Sequence, residues 1–73
     1  STEVDFVAEK QGTYTYFQVT ADMTAQETFE REMKPLRRIR DNYEKIVLTG
    51  DRLTLGNYDG IQVKYLPDWL LEK

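Results

Sequence analysis

Residues 3 to 9, EVDFVAE, alternate polar and apolar positions apart from Val7, and residues 13 to 20, TYTYFQVT, are rich in β-branched and aromatic side chains. Both patterns predict strands. Gln11-Gly12 between them suits a two-residue hairpin turn, with glycine taking the positive φ. That turn sets a register in which paired residue numbers sum to 23, so that Lys10 faces Thr13, Phe6 faces Phe17, Val4 faces Val19 and Asp5 faces Gln18. Val4, Phe6, Ala8, Phe17 and Val19 then share an apolar face, and Glu3, Asp5, Gln18 and Thr20 the opposite one.

Thr24-Ala-Gln-Glu27 has the spacing of a capping box and predicts a helix start. Phe29, Met33, Leu36, Ile39 and Tyr43 recur at helical spacing, which lays an apolar stripe along a helix running to about Arg40, with a kink or break expected at Pro35. Lys45 to Thr49, KIVLT, is the apolar run of a buried central strand, and the helix before it is long enough for a right-handed crossover that sets this strand parallel to the second. Asp51 to Gly60 reads as a connection with a turn at its end. Ile61 to Tyr65 predicts a fourth strand, and Pro67 opens a short final helix in which Trp69 is expected to be core. The expected fold is α/β, in the order ββαββα: a small mixed four-stranded sheet with an N-terminal antiparallel hairpin, a crossover helix and a short C-terminal helix.

Composition narrows the chemistry. With 73 residues the chain is one domain, and so short a chain buries only about 60% of its unfolded surface, which makes its stability modest. It holds neither cysteine nor histidine, so any metal would be a hard cation on carboxylates. No apolar run is long enough for a membrane span or a signal peptide, and a soluble, cytoplasmic protein is expected. A net charge of -3 argues against general electrostatic capture of nucleic acid, although ten Lys and Arg can still be locally concentrated. The abrupt start on a strand pattern suggests a C-terminal piece of something larger.

The hairpin register has a chemical counterpart. PD-(D/E)XK nucleases bind a divalent metal with an Asp on one strand and the acid of a (D/E)-X-K motif on its neighbour, whose Lys positions or activates water. Here Asp5 and Gln18-Val19-Thr20 occupy those places. Gln18 brings no negative charge to a metal and Thr20 has no cationic group, which leaves Asp5, with Glu3 as a helper, as the carboxylates for any metal. The polar side of an ordinary hairpin accounts for the same residues without any site.

The wording EVDFVAEK, YFQVT, EREMKPLRRIRDNYEKIVLT and GIQVKYLPDWLLEK resembles the C-terminal nuclease-like domain of unknown function appended to bacterial and archaeal AAA-type ATPases, over nearly all of the chain. That resemblance implies a degenerate restriction-endonuclease-like fold and a non-catalytic accessory module whose partner is the preceding ATPase domain. ATP and magnesium would belong to that ATPase core, because no GxxxxGK[ST] loop occurs in these residues. The competing expectation is an active metal-dependent DNA phosphodiesterase using Asp5 and Glu3, with Lys10 or Lys64 as a migrated base.

Two surfaces remain. Arg31, Lys34, Arg37 and Arg38, with Arg40 alongside, follow one stretch of the helix and are candidates for phosphate contacts, or else a solvated face paired with acids such as Glu30 with Lys34. Tyr14 and Tyr16 lie on the face of Gln18 and either stack bases or mark a surface awaiting a neighbouring segment.

Overall fold

A computed structural model describes residues 4–72. Strand β1 (Phe6–Lys10) and strand β2 (Thr13–Thr20) form the expected hairpin, with Phe6 opposite Phe17 and Lys10 opposite Thr13. Gln11 and Gly12 both have positive φ, 55° and 82°, the pair of values that a twist-matched two-residue turn needs. Helix α1 (Gln26–Arg37) then crosses to strand β3 (Glu44–Thr49), which lies parallel to β2.

The connection after β3 contains an additional strand. Gly56–Tyr58 forms β4, which pairs antiparallel with β5 (Ile61–Tyr65) through a second two-residue turn at Asp59-Gly60, with φ of 54° and 93°. Only three residues long and carrying a glycine, β4 has too little alternation to be recognised as a strand from its pattern. The order is therefore ββαβββα, with α2 (Leu66–Leu71) last, and the five strands lie β1-β2-β3-β5-β4 in one mixed sheet. β3 and β5 are parallel, so the centre of the sheet is parallel and each edge is one arm of a hairpin.

Helix α1 covers one face. Met33 and Leu36 are fully buried on Val47, Ile61 and Val63, together with Met23 from the loop before the helix, and Phe29 and Ile39 pack around them. Three local expectations change here. The N-cap is Ala25, without a side-chain cap; Thr24 turns back instead, its hydroxyl and N–H both donating to Asp22 Oδ1 at 2.7 and 2.8 Å. Such a local Asx turn satisfies the aspartate and removes Thr24 from capping. Pro35 does not divide the helix, which runs through it but stops two residues later, so Arg38 is the C-cap and Tyr43 lies outside it.

Val4 also departs from the hairpin pattern. The chain bends at Asp5, before the first residue of β1, and Val4 packs against the core beneath α1 rather than beside Phe17 and Val19. The opposite face is only partly covered. Helix α2 packs on β3 and β5, with Pro67 as its second residue, and Trp69 meets Phe17 edge-on at 5.4 Å between ring centroids. Trp69 is half-buried instead of lying in the core, and Leu71 is 86% exposed.

Among the described residues no helix is long and apolar enough to cross a membrane.

Candidate functional site

The bend at Asp5 builds a polar corner. Its carboxylate accepts the backbone N–H of Val19 at 3.0 Å, and its own N–H donates to Gln18 Oε1 at 2.8 Å. Side chains thus stand in for the ladder partners that the bent chain no longer supplies. Gln18 is buried, 4% exposed, and its amide nitrogen points toward Glu32 of α1, 3.4 Å from the backbone oxygen and 3.5 Å from Oε1. These last two contacts are long and contribute little as hydrogen bonds. The 2.8 Å bond from the Asp5 N–H to Oε1 is what sets which way the amide faces.

Glu32 is the member of this corner that motif reasoning misses. It stands three residues after Phe29 and four before Leu36, so a charged side chain occupies a position of the apolar stripe. That misplacement is the signal that could have found it. Burial pushes the Glu32 pKa up, the charge of Asp5 adds to the rise, and Arg31 opposes both. Glu3 lies outside the described residues. Thr20 is half-buried and donates to the backbone oxygen of Asp22 at 3.2 Å.

Much of the donor capacity of this corner is already committed. One oxygen of Asp5 and the Gln18 carbonyl are both engaged with backbone N–H groups, and the Gln18 NH₂ presents hydrogens, not lone pairs, toward Glu32. Among the described residues no three metal-ligating side chains of the His, Cys, Asp and Glu types come together. Nor does the fold bring Lys10 or Lys64 to the corner. Lys10 alternates with Phe6 and Ala8, and Lys64 is the cross-strand partner of Leu48, so both line a groove on the other face of the sheet.

The basic residues of α1 are exposed. Arg37 pairs with Glu30 at 2.6 Å, replacing the expected pair of Glu30 with Lys34. Among the described residues Arg31, Lys34 and Arg38 form no ion pair. Tyr14 and Tyr16 both have partners within the domain. Tyr16 donates its hydroxyl to Asp41 at 2.6 Å, which pushes the tyrosine pKa up and holds that of Asp41 down, and Tyr14 meets Tyr43 edge-on at 5.2 Å. Beside them the buried Lys45 ammonium donates to Asp41 and to the backbone oxygen of Tyr43, 5.5 Å from the centre of the Tyr16 ring. These contacts tie the N-terminal end of β3 to β2.

A second cluster is also structural. Asp51 accepts five hydrogen bonds, from the N–H groups of Met23, Leu53 and Thr54 and from the hydroxyls of Thr49 and Thr54, all between 2.8 and 3.0 Å. Burial alone would raise its pKa, but these donors outweigh it and hold the carboxyl well below the usual carboxylate range.

The chain is 40% identical over 72 residues to an uncharacterized protein of Haemophilus influenzae, a match that takes in 99% of this chain and 17% of the relative. The chain thus corresponds to a small part of that protein. No family model matches the sequence. No solved structure matches it.

Proposed function

We propose that this domain is a non-catalytic, nuclease-like accessory module of a larger AAA-type ATPase, supporting engagement of a partner protein or nucleic acid. The observation that carries this reading is the neutral amide of Gln18. It sits where a metal-binding acid would be needed, with its carbonyl committed to the Asp5 backbone and its NH₂ turned toward Glu32. The placement of Lys10 and Lys64 on the far face, away from Asp5, supports it further. A match to a small part of a longer protein is what an appended module would give.

Under this reading ATP and magnesium are handled by the ATPase core, in the cytoplasm, and the exposed Arg31 and Lys34 of α1 and Arg38 at its C-cap are the nucleic-acid contacts. Plasmid and single-stranded DNA incubated with the domain and magnesium or manganese stay intact; metal-dependent cutting that disappears in Asp5→Ala would overturn the proposal. If α1 contacts phosphates, DNA binding weakens with rising salt and again in the Arg31→Ala, Lys34→Ala, Arg38→Ala triple variant. A Walker A loop upstream in the full-length sequence would establish the parentage.

A further inference from the structure

The basic strip of α1 leads to a concavity. Arg31 and Lys34 follow the helix to Arg38 at its C-cap, and Arg38 and Arg40 stand exposed on either side of Ile39, neither in an ion pair among the described residues. Just past the helix end, the segment that enters β3 and the Asp59-Gly60 turn enclose a space of about 410 Å³. Gly60 has no side chain to fill it, and a Cβ there would meet nothing within 4 Å.

The lining combines what a nucleobase requires. Leu36, Ile39 and Ile61 supply apolar surface for the flat face of a ring. Tyr43, held edge-on by Tyr14, is 37% exposed and offers an aromatic surface on which a base can stack. Asn42 is exposed, and its side-chain amide, which enters no hydrogen bond among the described residues, presents both a donor and an acceptor to a base edge. Charges around the space balance, with Arg37 and Lys45 against Asp41 and Asp59, and the Lys45 ammonium is already committed to Asp41 and Tyr43. A balanced lining suits a neutral ring better than an anion. The anionic part of a nucleotide then lies outside, where Arg38 and Arg40 are free to meet it.

On the reading that the domain engages nucleic acid, we infer that this concavity takes an unpaired base of a single strand whose backbone runs over the basic end of α1. In a duplex the faces of each base are stacked and its pairing edge is closed, so only an unpaired base can enter.

Fluorescence anisotropy tests this with labelled strands of about 12 nucleotides, within the site size of a small single-strand-binding domain. The strands are single-stranded DNA and RNA of one mixed sequence, the same DNA as a duplex, and an abasic strand of equal charge. A single strand should bind about fivefold or more tighter than the abasic strand, the margin expected of one stacked base, and the tighter of DNA and RNA identifies the ligand. Asn42→Ala and Tyr43→Ala, each with an unchanged circular dichroism spectrum, should remove that margin and leave abasic binding as it was, whereas Arg38→Ala should weaken every strand alike. Misfolding of Tyr43→Ala would show in the spectrum, and Asn42→Ala, at an exposed position, then decides. The base site is overturned if the abasic strand or the duplex binds as tightly as the single strands, or if the margin survives both variants. In each of those cases nucleic-acid binding itself stands; if no strand binds, that reading falls together with the base site.

Discussion

The side-chain carbonyl of Gln18 accepts the backbone N–H of Asp5 at 2.8 Å, and the Asp5 carboxylate in turn accepts the N–H of Val19, the residue after Gln18. The two residues hold each other, and a neutral amide is the group that closes the arrangement. A carboxylate at position 18 could still accept from Asp5, but its second oxygen would face Glu32 with no hydrogen between them.

Gln18→Glu is therefore expected to destabilise the domain at pH 7 by about 1 to 3 kcal/mol, the range for leaving a buried polar group without its donor. Protonation relieves the repulsion, so the deficit should shrink toward pH 4. Urea unfolding of both proteins at the two pH values measures this, and an equal deficit at both would show that charge is not the cause.

Glu32 carries its own pH dependence. Its folded-state pKa is raised above the unfolded value, so the folded state binds the proton more tightly and loses stability as pH rises from the ordinary glutamate value through the raised one. Glu32→Gln removes that loss while keeping an acceptor oxygen for Gln18. The gain at pH 7 should stay below about 1 kcal/mol, because the side chain is only partly buried and water screens it. At a pH below the ordinary glutamate value the variant and the parent should have the same denaturation midpoint.

Asp51→Ala removes the acceptor for five donors, including the N–H that fixes Met23 in the core. A loss of about 2 to 4 kcal/mol is expected, several hydrogen bonds at roughly 1 kcal/mol each with some recovered by water. The folded-state pKa is depressed, so the parent's Asp51 contribution is fully present above the ordinary aspartate value and is lost as pH falls below it. Guanidinium unfolding between pH 7 and pH 3 should therefore show the gap between parent and variant narrowing on the acid side.

Gly50 donates its N–H to Thr20 at 3.1 Å, which joins the C-terminal ends of β2 and β3, and a Cβ at this position would sit 2.5 Å from the backbone oxygen of Ala21. Gly50→Ala should cost about 1 to 3 kcal/mol through overpacking against a group that cannot rotate away. A thermal midpoint unchanged from that of the parent protein would show that the two strand ends can part.

Legibility in the sequence followed the range of the forces involved. The hairpin register was readable because Gln11-Gly12 and the alternation of Phe6, Ala8, Phe17 and Val19 are local signals pointing the same way, and the parallel placement of β3 followed from KIVLT after a helix of crossover length. β4 was not, since three residues hold no period, and Thr24 was drawn to Asp22 by a contact that competes with capping. The corner divides likewise. The register brings Asp5 near Gln18, although the ladder stops at Phe6 and side-chain bonds join the two, whereas Glu32 joins them only because α1 folds across β2, a tertiary event that spacing along the chain does not encode directly. The two lysines went astray for the simplest reason: strand alternation sends Lys10 and Lys64 to the other face.

The clasp between Asp5 and Gln18 sits at the free end of β1, next to Val4 in the core, where a pull on the chain before β1 would arrive. An antiparallel hairpin loaded at that end opens like a zipper, one pair at a time toward Gln11-Gly12, while the parallel neighbours β2 and β3 must slide past one another along their whole length. In mechanical terms the domain has a fuse at its entry and a resistant interior. Val4 in the core and the two bonds at Asp5 are the contacts that such a load meets before the first ladder pair, Phe6 and Phe17.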